Sequence, residues 1–294
     1  MNSAMRPSKR IFALYLVPGT LIYAFSVFLP ILMAFRYSLF AWNGGPKMTF
    51  VGVRNYLSLL ADTQFWQAFG NNIYMLALSL VGQVGLGLFF ALLLNDRVTR
   101  NKKLHRTLCY FPSTLAPVVI AFIWSMVYNY NFGLLNGLLR ATGLNQLAQS
   151  WLDNTGSIML TVTIPLIWQN SGYFMVLMLA AFSAINPEVL EVAEIDGATG
   201  FKKAWYVTLP LMKSTIAVCV MLCIAMNMRG FENVFIMTNG GPGYASTLVG
   251  LYAYKVSFMR FNFGYGSAVS IGIILLCLGI ILVSKIAFWE RKEA

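Results

Sequence analysis

Four carboxylates within nine residues form the densest group of acidic side chains in the sequence: Glu188, Glu191, Glu194 and Asp196. Acidic groups this close can transfer protons, bind a cation, or pair with Arg and Lys side chains of another protein. No nucleophile–base pair and no metal-ligating set accompanies them in the sequence, so we expect no catalytic residues in this chain. Pairing with a protein partner is the chemistry that remains.

The acidic residues lie in a segment whose pattern predicts two short helices separated by a turn. Asn186 is a good helix N-cap, and Pro187 suits the first helical position. Asp196 and Gly197 then break the helix, and a second short helix is expected over 201–209. The segment could instead lie on lipid headgroups, but anionic lipids repel its carboxylates. Docking onto a protein partner is therefore favoured.

The sequence offers little support for a metal site. Its four cysteines lie inside or at the edge of apolar runs, at Cys109, Cys219, Cys223 and Cys277. They lack the paired spacing of zinc ligands, and the only histidine, His105, is far away in sequence. We therefore expect no metal site and four buried, unpaired thiols.

The composition indicates that lipid surrounds most of the chain. Hydrophobic residues make up 58% of the 294 residues and charged residues only 11%, whereas soluble domains carry about 25% charged residues. The net charge of +11 would suggest a nucleic-acid partner in a soluble protein. Here the basic residues lie between apolar runs, so they indicate orientation in a membrane, and no nucleic acid is expected.

Uncharged runs predict an all-α integral membrane protein with six transmembrane helices, because a spanning helix needs about 20 apolar residues. We expect a tail over 1–10, a first transmembrane helix over 11–35 and an extracytoplasmic loop over 36–66. A transmembrane domain over 67–288 and a tail over 289–294 follow. The domain is expected to contain spans near 72–94, 108–129, 158–184, 209–231 and 265–287, with the acidic segment in a loop over 186–210. The first run is too long for a signal-peptide core, which is usually about 7–15 residues, so we expect it to be retained.

The distribution of basic residues predicts the orientation. With the N-terminus inside, 14 of the 21 Lys and Arg residues fall on the inner side and 7 remain for the outer side. The loop over 96–106 contributes five of the inner ones. Because cytoplasmic loops carry an excess of Lys and Arg, both termini are expected in the cytoplasm.

The acidic segment also carries a recognisable motif. Glu191-Val192-Ala193 is followed by three residues, Gly197, nine residues, Val207, one residue and Leu209-Pro210. This pattern resembles the "EAA" coupling motif of ABC importer permeases, with Val at 192 and 207 in place of the usual Ala and Ile. Further similar stretches lie at 50–56, 238–247 and 258–268, so the resemblance covers nearly the whole chain. It is closest to the maltose-type and glycerol-phosphate-type permeases of the carbohydrate-uptake subfamily, without the large extracytoplasmic insertion of some members.

The resemblance implies a type I ABC importer permease in a bacterial or archaeal cell membrane. Such a chain forms a translocation pathway with a second homologous permease, binds two cytoplasmic ATPase subunits, and receives a sugar, an oligosaccharide or a related solute from an extracytoplasmic binding protein. It would be no enzyme and hold no cofactor, since the sequence has no phosphate-binding loop and ATP and Mg would bind the partner ATPase. The residues implied in ATPase coupling are Glu191, Ala193, Asp196, Gly197, Leu209 and Pro210.

Two other classes remain as alternatives. One is a secondary carrier coupled to ions, which would usually place ionisable groups in the middle of the membrane. The other is an assembly protein with no transport pathway. The charges of this sequence cluster at the span ends, and the coupling segment argues against both classes.

Polar side chains are scarce in the predicted spans. Trp168, Gln169, Asn170 and Asn227 are candidates for the solute pathway, since amides can bond sugar hydroxyls and aromatic rings can pack on sugar C–H faces. The alternative is hydrogen bonding between helices, worth about 0.6 kcal/mol per bond. The residues alone do not separate these two interpretations. Arg229 and Glu232, three positions apart, are expected to pair with each other on one helix face.

Overall fold

The computed structural model describes residues 9–95 and 101–289 of the chain. The predicted N-terminal tail as far as residue 8 and residues 290–294 of the C-terminal tail lie outside the described residues. So do residues 96–100, which include Arg97 and Arg100 of the predicted basic loop.

Helices make up most of the described chain. The α-helices are Lys9–Tyr23, Leu29–Ser38, Arg54–Leu60, Thr63–Ser79, Leu86–Asn95, Lys102–Tyr110, Pro117–Val127, Leu134–Ala141, Ile158–Ser183, Pro187–Ile195, Gly200–Lys203, Leu209–Leu211, Lys213–Met228, Glu232–Met237, Val249–Tyr254 and Phe263–Trp289. The π-helical turns are Ala24–Phe28, Leu80–Gly85, Ala204–Thr208 and Lys255–Met259, and the 3-10 turns are Phe111–Thr114 and Asn145–Leu147. A two-residue hairpin pairs the strands Phe40–Ala41 and Thr49–Phe50.

Within the described residues, five helices are long and apolar enough to cross a membrane, and a bent pair makes the sixth candidate. In chain order, span one is Leu14–Ser38, span two Thr63–Asn95, span three the pair Lys102–Thr114 and Pro117–Val127, span four Ile158–Ser183, span five Lys213–Met237 and span six Phe263–Ile286. The prediction of an all-helical integral membrane protein is therefore confirmed.

Span three is bent by 98° where the sequence places a proline. Leu115 and Ala116 have extended backbones, with ψ of 144° and 139°. Pro117 disfavours the helical conformation in the residue before it, and it then starts the second half of the span. The Gln169 amide in span four donates to the Leu115 carbonyl oxygen at 3.0 Å. That bond satisfies an acceptor that the interrupted helix leaves unpaired.

The described residues up to 62 form one compact unit together with residues 253–275. Within it, the Asn55 side-chain amide donates to the carbonyl oxygens of Ser38 and Phe40 at 2.7 and 3.0 Å. These bonds tie the end of the helix Leu29–Ser38 and the first strand of the hairpin to the helix Arg54–Leu60. The region predicted as an extracytoplasmic loop thus contains an ordered hairpin and a short helix.

The second unit comprises residues 63–252 with the chain from 276 onward. Its hydrophobic core is formed by spans two, four and five together with Met212, which directly precedes span five. The buried residues of this core are Val84, Ala91, Leu94, Phe174, Met175, Met178, Leu179, Phe182, Met212, Cys219 and Cys223. Glycines let backbones approach closely here. A Cβ at Gly87 would meet the Phe174 side chain, and one at Gly172 would meet the Cys109 carbonyl. Small residues at such contacts are typical of helix packing in membranes.

The cysteines are unpaired, as the sequence predicts, but their burial differs from the prediction. Cys219 and Cys223 are buried in span five, whereas Cys109 and Cys277 are only half-buried. Cys109 and Cys277 are only half-buried because they lie on helix faces that the described part of the chain covers only in part.

Candidate coupling segment and solute pathway

The first helix of the acidic segment begins as its sequence predicts. Asn186 is the N-cap, with an extended backbone, and its side-chain oxygen accepts a hydrogen bond from the Glu188 backbone N–H at 3.1 Å. Pro187 occupies the first helical position, where its missing N–H would have no partner in the helix. The helix then runs over Pro187–Ile195.

The helix ends in a turn that requires a left-handed residue. Gly197 has φ +83°, and its N–H donates to the Glu194 carbonyl oxygen at 3.1 Å. The Ala198 N–H donates to the Ala193 carbonyl oxygen at 2.9 Å. Together these bonds form a Schellman motif, with Asp196 as the C-cap. The positive φ alone favours glycine at position 197, because no atom lies within 4 Å of the place that a Cβ would take.

An ion pair joins the two short helices across the turn. The second helical stretch starts at Gly200 and continues through a π-helical turn to Leu211. Lys203 Nζ contacts Glu194 Oε1 at 2.5 Å, and both side chains are partly exposed. Surface pairs of this kind contribute little, about 0–1 kcal/mol. The arrangement of the two short helices therefore depends mainly on the hydrogen bonds of the Schellman motif.

Large apolar side chains are exposed on this segment. Ile195 and Phe201 are 84% and 79% exposed, and the Phe201 ring stacks on Trp205 at a centroid distance of 6.0 Å. Glu191 and Asp196 are also exposed, and neither carboxylate has a hydrogen bond or ion pair to the described part of the chain. An apolar surface bordered by unpaired charge is typical of a protein–protein contact.

The remaining coupling candidates lie on other parts of the segment. Ala193 is buried on the inner face of the first helix. Leu209 is half-buried and Pro210 is exposed, in the helical turn that precedes span five. The structure therefore presents Glu191, Asp196 and Pro210 to solvent and turns Ala193 toward the protein.

A cavity of about 250 Å³ brings together three of the four pathway candidates. Gln169, Asn170 and Asn227 line it, along with apolar residues of spans two, three, four and five. Trp168 does not line it. The Trp168 side chain is 41% exposed, and its ring packs edge-on against Trp124 at a centroid distance of 5.9 Å.

The amides at the cavity differ in how far the chain already satisfies them. Gln169 donates to the Leu115 carbonyl oxygen at the bend of span three. Asn170 donates only to the Leu166 carbonyl oxygen in its own helix, at 3.0 Å, and its side chain is half-buried. Each of these two amides makes one side-chain hydrogen bond, and Asn170 is the less buried of the two, so it is the more accessible to a solute.

Asn227 belongs to a buried polar network between spans two and five. Its side-chain oxygen accepts from Ser79 Oγ at 2.9 Å and from Gln83 Nε2 at 3.3 Å. Its side-chain nitrogen donates to Gln83 Oε1 at 3.3 Å and to the Cys223 carbonyl oxygen at 2.8 Å. Both ends of the amide are thus engaged within the chain, which favours a packing role for this residue.

We expect the substitution Asn227→Leu to lower the stability of the permease by about 1–3 kcal/mol, because it removes the two hydrogen bonds that the buried Gln83 amide makes to Asn227. The matched control is the double variant Asn227→Leu with Gln83→Leu. Replacing both partners by apolar groups can be nearly neutral, so the double variant is expected to regain most of the loss. Thermal unfolding of the detergent-purified protein measures both. A double variant less stable than the single one would contradict the network.

The predicted pair of Arg229 and Glu232 is wrong, since the structure has no ion pair between them. The helix of span five ends at Met228, and Gly230 and Phe231 separate the two residues. Residues three apart face each other only when one continuous helix carries both. Both charged residues instead line the cavity.

Two residues of this region were missed as site candidates. Gln83 is fully buried and carries the network to Asn227, and Asn233 lines the cavity from the short helix Glu232–Met237. A signal for Asn233 was present in the sequence. Asn227, Arg229, Glu232 and Asn233 lie within three residues of Gly230 in an otherwise apolar run. Polar residues within a transmembrane segment commonly mark a pathway for a solute or ion.

Comparison with known proteins decides the family. Residues 83–292 match the family described as binding-protein-dependent transport system inner membrane component. The chain belongs to this family. A Bacillus subtilis relative described as a probable ABC transporter permease is 34% identical, over 95% of this chain and 96% of the relative. The trehalose/maltose transport system permease of Thermococcus litoralis is 32% identical, over 81% of this chain and 79% of the relative.

The fold of the permease is also that of a solved transporter. A chain from the crystal structure of a bacterial ABC transporter that imports the acidic polysaccharide alginate superposes with a TM-score of 0.84. It is 23% identical and the match covers 97% of this chain and 98% of that chain. The predicted ABC importer permease architecture is confirmed. The permease is a multi-pass protein of the cell membrane, a transport subunit and not an enzyme.

Proposed function

We propose that this permease forms half of the translocation pathway of an ATP-driven importer for a neutral sugar or oligosaccharide. The observation that carries the proposal is the cavity lined by Gln169, Asn170 and Asn233, whose amides offer both donors and acceptors. Hydroxyl groups of a sugar need partners of both kinds. The name of the Thermococcus litoralis relative, a trehalose/maltose system, supports the same substrate class.

The coupling segment supports the proposed partners. Two cytoplasmic ATPases would bind the surface formed by Ile195, Phe201 and Trp205, and Glu191 would pair with a cationic side chain of the ATPase. ATP and Mg would be held by those ATPases. A second homologous permease would complete the pathway, and an extracytoplasmic binding protein would deliver the sugar. The family's description as binding-protein-dependent supports the latter partner.

This function is tested with proteoliposomes that contain the permease, its second permease and its ATPases, with ATP inside. The probes are radiolabelled glucose, maltose, trehalose and maltotriose, offered with and without the binding protein. We expect uptake of at least one of them, dependent on both ATP and the binding protein. Uptake driven by a proton or sodium gradient without ATP would contradict the proposal, and so would uptake of none of the four.

We also propose that both termini and segment 186–210 face the cytoplasm, with 36–66 outside. A reporter fused after Ala294 is expected to give the inside signal, and one inserted at Asn145 the outside signal. Asn145 begins a short turn between spans three and four, where an insertion interrupts no span. The basis is the excess of Lys and Arg on the inner side. The reverse pattern of the two signals would overturn both the orientation and the coupling assignment.

A further inference from the structure

Asn233 is a buried amide that has no partner in the protein. It is the second residue of the helix Glu232–Met237 and is 4% exposed. Neither its side-chain oxygen nor its side-chain nitrogen has a hydrogen bond. The residue lines the same cavity as Gln169 and Asn170.

The other buried side-chain amides in the described part of this unit are hydrogen-bonded, so Asn233 differs from them. Within the described part of the same unit, hydrogen bonds are made by the side chains of Asn72, Gln83, Asn136, Gln169 and Asn227. A buried amide without partners is costly, and native proteins satisfy the great majority of such groups. The uncompensated amide of Asn233 therefore indicates a partner from outside the chain.

The break in span five is what brings Asn233 to the cavity. Asn227 and Asn233 are six residues apart. On one continuous helix, a rotation of about 240° around the helix axis would separate them, so their side chains would lie on different faces. Gly230 and Phe231 interrupt the helix, with Phe231 at φ −142° and ψ −54°. As a result both residues line one cavity. A helical face alone would have turned Asn233 away from it.

We propose that Asn233 contacts the solute and selects for hydroxylated rings, an inference that rests on the proposed function. Its amide can donate to one sugar hydroxyl and accept from the neighbouring one. At about 250 Å³ the cavity is smaller than the roughly 300–1,000 Å³ of pockets for drug-sized ligands, so it fits one ring of a longer sugar. Asn227 holds the helices together, and Asn233 and Asn170 bind the ring.

The test uses the complete complex in proteoliposomes with the four labelled sugars named above. The variants are Asn233→Leu, which keeps the volume, and Asn233→Ala, which removes it. We expect each to raise the KM for uptake of the transported sugar at least tenfold, because the solute loses its amide partner. The thermal midpoint of either complex is expected to stay within about 2 °C of the wild type or to rise, since no hydrogen bond of the protein is lost.

Asn136 provides the matched control for a structural role. It is fully buried, donates to the Tyr130 and Gln149 carbonyl oxygens at 3.2 and 3.0 Å, and does not line the cavity. Asn136→Ala is expected to lower the thermal midpoint while the KM of the folded fraction stays unchanged.

The outcomes separate this inference from the proposed function. Wild-type KM values in both Asn233 variants, with uptake by the wild type, would overturn the solute contact alone. A loss of thermal stability in both Asn233 variants as large as that in Asn136→Ala would also overturn it, because Asn233 would then be structural. Uptake of none of the four sugars by the wild type would overturn the proposed function and, with it, this inference.

Discussion

The substitution Gly197→Val is expected to reduce solute uptake roughly five- to thirtyfold and to weaken retention of the ATPases, while the permease still inserts in the membrane. Gly197 has φ +83° and closes the Schellman turn after the helix Pro187–Ile195. A left-handed conformation costs an ordinary residue about 1–2 kcal/mol, and a β-branched side chain tolerates it least. A penalty of that size depopulates the turn about five- to thirtyfold.

The open space around Gly197 allows a backbone effect of the substitution to be separated from a steric clash. No atom lies within 4 Å of the place a Cβ would take, so a substitution there acts through the backbone and not through a clash. Asn adopts the left-handed conformation more readily than other residues, and Gly197→Asn is the matched control. We expect the Gly197→Asn variant to retain most of the wild-type solute uptake and the Gly197→Val variant to lose most of it.

Uptake and co-purification of the ATPase with the permease measure the two variants side by side. Equal loss in the Asn and Val variants would show that side-chain bulk at the ATPase contact matters, and the conformational argument would fail. Wild-type behaviour of both would remove this turn from the coupling mechanism. Insertion depends on the apolar length of the spans and their flanking charge, so the membrane content of both variants is expected to match the wild type.

The sequence was most informative where a local rule decides the structure. Asn186 and Pro187 start a helix because a cap and a first-turn proline need only their own neighbours. Gly197 adopts a left-handed conformation for the same kind of local reason. The spans were predictable because hydrocarbon requires a long apolar helix whatever its neighbours are.

Side-chain partners were not predictable, because helix packing decides them. Asn170 and Asn227 are both amides in apolar runs, yet one keeps free capacity at the cavity and the other is engaged by Gln83 and Ser79. The expected pairing of Arg229 with Glu232 failed because a continuous helix was assumed across Gly230. The same break places Asn233 at the cavity, so a single local interruption explains both the failed pair and the missed residue.

The charge reversal Glu191→Lys is expected to abolish coupling, with uptake falling at least tenfold and the ATPases lost during purification. Glu191 is exposed on the helix Pro187–Ile195, and its carboxylate makes no hydrogen bond or ion pair within the described part of the chain. A hydrogen bond to a charged group contributes about 1.5–3 kcal/mol, and reversal replaces that attraction by repulsion. Each 1.4 kcal/mol lost weakens the contact tenfold.

Two variants distinguish a specific contact of Glu191 from a general effect of charge. Glu188→Lys makes the same change of charge in the first turn of the same helix, beside the N-cap. We expect it to retain the ATPases, because the proposed contact involves Glu191 alone. Glu191→Gln keeps an acceptor without the charge, and its loss of uptake is expected to be intermediate.

The decisive measurement is rescue. A Lys or Arg of the ATPase that crosslinks to position 191 is changed to Glu and combined with Glu191→Lys in the permease. Restored co-purification and restored uptake are expected only in that pair, because the attraction returns with its direction reversed. If no such change rescues Glu191→Lys, and Glu188→Lys is equally damaging, the helix contributes general acidity and the pairing assigned to Glu191 is wrong.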